Sequence, residues 1–259
     1  MSDFSYRFGG IGRLFGENNL ERLRMAHICV IGIGGVGSWT VEALARTGVG
    51  HLTLIDLDEV CASNTNRQVP ATQPNIGRAK IEVMAERIKL INPDLKVTQK
   101  LDFLTAKTRN GLLTPSYDVV VDAIDQPENK CHILDWCRRN EMPVVTVGGA
   151  GGKQDPTRIQ STDLTQANHD SLLKRVRKNL RREFDFPRGD KSWGIPCVFS
   201  SEAPVFPGSD GEVCEQPKTD TSLRLDCAAG FGAATFVTGT FGFVAASEAI
   251  KLFWAQKSP

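Results

Sequence analysis

No two of the seven cysteines (Cys29, Cys61, Cys131, Cys137, Cys197, Cys214 and Cys227) stand as a Cys-x-x-Cys pair, so a zinc site built on paired cysteines is excluded. No secretory signal opens the chain, and an odd number of scattered thiols reads as a reduced, cytoplasmic protein rather than a disulfide scaffold. Excess charge is missing too. With 31 Lys+Arg against 30 Asp+Glu the net charge is +1, so any nucleic-acid footprint must be local. The histidines His27, His51, His132 and His169 show no metal-ligand spacing, and His27 and His51 each begin an apolar run, which reads as structural. Repeats and low-complexity tracts are absent, and 41% hydrophobic with 24% charged residues is ordinary globular composition.

Charge is absent from residues 227–247, and those 21 positions are enough to span a membrane. They hold Gly, Ala and Thr rather than Leu and Ile, so their insertion would be weak. Small residues recur every fourth position, at Gly230, Ala234, Thr238, Gly242 and Ala246, a row that lets another backbone approach closely. A buried C-terminal helix or a dimer interface is expected, not a membrane span.

What is present begins with an alternation. HICVIG, HLTLID, KVTQK, YDVVVDAID and MPVVTVGG read as strands. Between them VGSWTVEALARTG, GRAKIEVMAERIKLINP and CHILDWCRRN carry helical periodicity. Strand and helix in repetition predict an α/β fold, a doubly wound, Rossmann-like and mostly parallel sheet. Residues 153–226 are polar and rich in Pro and Gly, with one helix expected in DSLLKRVRKNLRREF. We therefore expect one domain, with a nucleotide-binding half at 1–152 and a loop-rich half at 153–259 for substrate binding and dimerisation.

Gly32-x-Gly34-x-x-Gly37 follows the first strand and opens a helix, the arrangement that places a pyrophosphate at a helix N-terminus. Asp56 ends the second strand, where an acid can hold ribose hydroxyls. These features suit NAD as well as ATP. Arg67 and Lys80 after the acid, and Asp125 past a later strand, favour ATP. Two cations can offset charge on an α-phosphate, and a carboxylate can hold Mg²⁺ through oxygen.

Gly32-x-Gly34-Gly35-x-Gly37, Asp56-x-Asp58, Asn64-x-Asn66-Arg67-Gln68, Gly77-x-x-Lys80 and Asp122-x-x-Asp125 resemble the ubiquitin-activating-enzyme-like superfamily that includes ThiF and MoeB. That resemblance implies adenylation of a carboxylate, with ATP held by the glycines Gly32, Gly34, Gly35 and Gly37 together with Asp56, Asp58, Asn64, Arg67, Gln68, Lys80 and Asp125. It implies catalytic roles for Arg67, Lys80 and Asp125, with Asp125 the Mg²⁺ residue through ATP. It also implies that Arg13, in RFGGIGRLFG, enters the ATP site of the other subunit of a homodimer. Gln126 departs from the Asn that many members carry after the metal-binding acid. The zinc-bearing members' cysteine pairs are missing, and RFGGIGRLFG, PCVFSSEAPVFP and RLDCAAGFGAATFVTGTFGFVAASEAIKLF resemble instead the TcdA-type tRNA threonylcarbamoyladenosine dehydratases of the same superfamily. The implied activity is ATP-dependent cyclisation, with loss of water, of threonylcarbamoyladenosine beside the anticodon.

A tRNA substrate agrees with a feature independent of any family. Residues 174–182 hold six basic side chains in nine positions, Lys174, Arg175, Arg177, Lys178, Arg181 and Arg182. Such density on one helix is relieved by phosphates, or as a solvated face by Glu183 and Asp185. Cys227 is a candidate nucleophile set against a plain loop thiol. Activation of a ubiquitin-like or sulfur-carrier protein is the alternative function. A monovalent cation, a sulfur-relay partner and the choice between AMP and ADP as product stay open.

Overall fold

The computed structural model of the protein describes residues 3–189, 191–208, 211–215 and 231–256. Helices α1 (Asp3–Phe15) and α2 (Glu17–Met25) precede the first strand, β1 (His27–Ile31). Then follow α3 (Gly37–Arg46), β2 (His51–Ile55), α4 (Lys80–Ile91), β3 (Lys96–Lys100), α5 (Arg109–Leu112), β4 (Val119–Asp122), α6 (Pro127–Arg139) and β5 (Val144–Val147). The second half supplies β6 (Ile159–Asp163), α7 (Ser171–Glu183), β7 (Pro196–Ser200), a short hairpin of β8 (Phe206–Pro207) and β9 (Val213–Cys214), and α8 (Thr235–Ala255).

One seven-stranded sheet runs in the order β3-β2-β1-β4-β5-β7-β6, with every pair parallel except β6 against β7. The apolar runs of β1, β4 and β5 are buried along nearly their whole length, as strands covered on both faces must be. The order reverses between β1 and β4, which opens a crevice at their C-terminal ends.

The expected strands and helices of the first half are all present. The second half differs from its reading as loops around one helix, because β6 and β7 extend the same sheet. β7 is a buried, mostly apolar run, PCVFS, that opens at Pro196, and β6 is a polar edge strand, IQSTD, with no buried residue. Pairing, not apolar alternation, makes β6 a strand. Helices α1 and α2 also escaped the pattern. Gly9, Gly10 and Gly12 lower the helix propensity of α1, and its helix persists because Phe4 and Phe8 bury against Leu20.

From Thr235 onward the uncharged C-terminal stretch lies in a core helix, α8. It is long and apolar enough to cross a membrane, yet Val237, Phe241, Ala245, Ala249 and Phe253 bury their side chains in the main core. Its small residues serve α3. A Cβ at Gly242 would stand 2.6 Å from Trp39 Cβ and 2.7 Å from Val36 O, so the two backbones meet as closely as glycine allows. At its far end Gln256 Nε2 donates to Asp118 O at 3.0 Å, below the N-terminal edge of the sheet. His27 and His51 also stand at that edge. Their rings stack 3.4 Å apart, and burial holds both below the usual imidazole range, His51 at about 4.

Candidate functional site

Gly32 and Gly37 shape the loop between β1 and α3. Gly32 has φ +85, and a Cβ there would meet Ile124 Cγ2 at 2.9 Å and the Ala123 backbone at 3.0 Å. A Cβ at Gly37 would collide with Gly32 O at 1.8 Å. These two glycines let the loop turn and lie against the end of β4. Gly34 is different, because a Cβ there would meet only Gln68 Nε2, at 3.9 Å. No packing among the described residues requires that glycine, so the open space suits a ligand. The adjacent Gln68 is buried, and its Oε1 lacks a hydrogen-bond partner among the described residues. No side chain caps the α3 N-terminus, where Ser38 N donates to Gly34 O at 3.1 Å, and the positive end of the helix dipole faces the loop.

Asp56 ties the second strand to this loop. Its Oδ2 accepts from Ile33 N at 2.5 Å and its Oδ1 from Asp58 N at 2.7 Å. Each oxygen keeps a lone pair for a hydroxyl donor. Burial raises the Asp56 carboxyl against the opposing pull of Lys80 and the two amides. Lys80 is buried at the start of α4, and its Nζ donates to Asp58 Oδ2 at 2.8 Å. Asp58 therefore acts as the counter-ion that aims Lys80.

The segment 64–68 is pinned from both sides. Asn64 is buried and its Oδ1 accepts from Cys61 N at 3.2 Å. Trp39 Nε1 donates to Arg67 O at 3.1 Å, Thr235 Oγ1 donates to Asn66 O at 2.5 Å, and Asn66 Nδ2 donates to Ala233 O at 2.8 Å. α8 thus holds the backbone beneath Arg67. The Arg67 stem lies 3.5 Å from where a Gly35 Cβ would stand, and its guanidinium bonds Ser63 O and Asn66 Oδ1, both at 2.9 Å. It makes no ion pair among the described residues, so its charge is uncompensated beside the loop.

At the end of β4, Asp125 is exposed and has no hydrogen-bond or ionic partner among the described residues. Its free carboxylate fits a hard cation brought in by a triphosphate. Asp122 behaves otherwise. It is fully buried, with its Oδ2 2.9 Å from Lys130 Nζ and 2.7 Å from Thr146 Oγ1. Lys130, also fully buried, was not singled out in the sequence. Nothing marks a lone lysine on α6 as the partner of an acid eight positions earlier. Leu57, Leu101 and Phe103 were missed as well. They are apolar and exposed just past β2 and β3, beside Asp56, where an aromatic base could lie flat. Exposure is not legible in sequence.

Arg13 is not near this loop. Two residues later the Phe15 ring packs, tilted, 4.8 Å from that of Trp254 at the far end of α8. The helix spans 21 residues, about 30 Å at 1.5 Å per residue, so Arg13 and the glycine loop lie at opposite ends of it. Cys227 lies outside the described residues. The expected basic helix forms as α7, with Leu173, Val176 and Leu180 buried. Its cations divide. Arg175 pairs with Glu128 at 2.5 Å and Arg182 with Glu183. Arg177 donates to Leu164 O at 3.2 Å, and burial lowers its guanidinium from the usual range. Arg181 donates to Gly189 O and stacks over Trp193. Lys174 and Lys178 have no ionic partner among the described residues. With Arg177, Arg181, Arg182 and the additional Arg188 they line an open hollow of about 470 Å³.

Residues 10–259 match the ThiF family. The tRNA threonylcarbamoyladenosine dehydratase of Escherichia coli (strain K12) is 52% identical over 252 residues, 96% of this chain and 94% of the relative. A crystal structure of the E. coli dehydratase TcdA with ATP superposes with a TM-score of 0.87 at 48% identity, over 98% of this chain and 96% of that one. A second, with AMP, superposes equally, at TM-score 0.87 and 48% identity over the same 98% and 96%.

Proposed function

The chain belongs to the ThiF family, and on that premise we propose that it catalyses the ATP-dependent dehydration of threonylcarbamoyladenosine in tRNA, closing the threonylcarbamoyl group into a ring. The observation that carries this reading is a glycine loop at the sheet's switch point with an uncompensated Arg67 on one side and an aimed Lys80 on the other. A hydride-transfer enzyme has no use for two cations there. An enzyme that makes a phosphate electrophilic does.

In the proposed reaction the threonyl carboxylate oxygen attacks the α-phosphorus of ATP. The phosphorus–oxygen bond to the β-phosphate breaks and pyrophosphate leaves. Arg67 and Lys80 offset the charge that builds on the phosphate oxygens. Asp56 holds the ribose, Gln68 Oε1 gains a donor, and Leu57, Leu101 and Phe103 face the adenine. Asp125 would hold Mg²⁺, which supplies charge neutralisation on the phosphates. The ureido nitrogen of the same nucleoside then attacks the acyl carbon. A carbon–nitrogen bond forms, AMP leaves with the acyl oxygen, and the N–H proton passes to solvent. A nucleophile held within the same molecule has a large effective concentration, so this second step needs little from side chains beyond geometry. The AMP complex of the E. coli relative supports the adenylate route over a phosphate one.

Arg13 serves the site of a second copy in a homodimer, which its distance from its own loop supports. The exposed α8 residues Phe236 and Phe243 offer apolar surface for such a contact. We place the enzyme in the cytosol, where its tRNA is.

The test is a mass measurement. The protein is incubated with tRNA bearing linear threonylcarbamoyladenosine, ATP and Mg²⁺, and the digested nucleoside is weighed. Loss of one water that requires ATP is expected. An unchanged mass with folded, ATP-binding protein would reject the reading and direct attention to a carrier-protein substrate.

The tRNA seat is α7, and the hollow refines which of its charges matter. Arg175 and Arg182 are already neutralised, and Arg177 and Arg181 are tied into the fold, so Lys174, Lys178 and Arg188 are the free phosphate contacts. Lys174→Glu/Lys178→Glu/Arg188→Glu should weaken tRNA binding at least about tenfold and flatten its salt dependence by roughly 0.9 per lost contact. ATP affinity should not change. Unaltered tRNA binding in a filter assay would remove α7 from the seat.

A further inference from the structure

Among the described residues three side-chain-bearing positions adopt left-handed backbone, Glu141 (φ 51), His169 (φ 50) and Asp185 (φ 54). Glu141 and Asp185 each follow the C-cap of a helix, Asn140 of α6 and Phe184 of α7, where such a turn is routine. His169 ends no helix. It stands directly before Asp170, the N-cap of α7, so its strained turn has another cause.

Three segments meet at that turn. Lys153, buried after the 148–152 loop, donates from Nζ to His169 O at 3.3 Å and to Glu202 O. The turn carries the Asp170 carboxylate inward. Its Oδ1 accepts from Leu173 N at 2.8 Å, which caps the helix, and its Oδ2 accepts from Gly149 N at 2.8 Å, just past β5. Asp170 is 7% exposed, and burial raises its carboxyl against the pull of the two amides and of Lys153. Gly148 completes the fit, since a Cβ there would stand 2.2 Å from Asp170 Oδ2. A helix needs only one oxygen of its N-cap, and a surface cap leaves the other in water. Here both are used, one on the helix and one on the loop. β5 pairs with β4, past whose end Asp125 stands, so the loop lies one strand spacing, about 4.8 Å, from the Asp125 strand and two from β1 and its glycine loop.

We infer that Asp170 is a positioning residue for ring closure, a buried carboxylate that locks the basic helix α7 to the Gly149 loop beside the phosphate site. The inference rests on the reading of α7 as the tRNA seat. RNA held on one element and ATP held by others react only if the two are fixed in register, and misplacement by about 1 Å can cost a hundredfold in rate. A lock of two hydrogen bonds from one side chain supplies that register.

Asp170→Ser separates the two bonds. Serine keeps the helix cap, and its shorter side chain does not reach the Gly149 amide. Single-turnover cyclisation at saturating ATP and tRNA should fall about ten- to a hundredfold. Tm should fall only part of the way, because the Gly149 amide and buried Lys153 lose their carboxylate partner while the cap remains, and the tRNA dissociation constant should stay close to wild type. Asp170→Ala, which loses the cap too, should lower Tm further. Unchanged cyclisation by the serine variant overturns the inference. So does a rate loss that merely tracks a fall in Tm equal to that of the alanine variant, because the role would then be structural. Failure of the wild-type protein to cyclise the nucleoside would instead reject the proposed function, and tRNA binding insensitive to the α7 charge reversals would reject the seat.

Discussion

Lys80→Ala should slow cyclisation by about a hundredfold or more while leaving the protein folded. The two halves of that expectation have different physical sources. The Nζ is a preorganised charge, held by Asp58 Oδ2 at 2.8 Å before any nucleotide arrives, so no reorganisation is needed when the α-phosphate becomes electrophilic. Removing it deletes transition-state stabilisation that water cannot supply from the same position. The fold should tolerate the loss because the Asp58 side chain is 53% exposed and its abandoned carboxylate can be hydrated. Single-turnover mass analysis beside a thermal melt checks both halves. Near-normal cyclisation with an unchanged melt would remove Lys80 from the chemistry and with it the assignment of this pocket.

Lys130→Met should act in the opposite way, on the fold first. Lys130 and Asp122 are both fully buried, and the ammonium also meets Asp122 O at 3.2 Å and Thr146 Oγ1 at 3.3 Å. Deleting one partner leaves a carboxylate without a counter-charge in the core, which costs about 3–5 kcal/mol. For a chain of this size that is a Tm fall of roughly 6–20 °C. The whole network can be made apolar instead. Asp122→Leu/Thr146→Val/Lys130→Met leaves no charge to strand and should recover most of the lost stability, as replaced buried pairs often do. Denaturant midpoints for the single and triple variants decide it. A single variant as stable as wild type would mean that Asp122 finds another partner and the pair is not the anchor described here.

The contrast between these two lysines shows what a sequence can carry. Lys80 could be found because it opens a helix a fixed distance after an acid-ended strand, and its place relative to the glycine loop follows from the order of strands. Lys130 could not, because its partner is fixed by how α6 lies on β4 and by nothing in its own neighbourhood. Asp170 stands between them. It opens DSLLKRVRKNLRREF, where a helix was expected, but its second bond to Gly149 exists only because His169 turns the chain. Likewise the basic run of α7 was visible as six charges, and only the fold showed which are neutralised by Glu128 and Glu183 and that Arg188 joins the rest.

The sequence by itself determined the parallel sheet, the glycine loop and the placing of Asp56, Arg67, Lys80 and Asp125 after the strands around it. These depend on apolar runs buried on both faces and on short, fixed spacings along the chain. The tertiary structure alone decided that β6 and β7 extend the sheet, that α8 packs in the core rather than crossing a membrane, and that Arg13 lies far from its own loop. The physical reason is range. Local pattern records what a residue needs from its near neighbours and from burial, whereas an edge strand, a buried ion pair or the destination of an arginine is set by a partner that arrives from elsewhere in the chain.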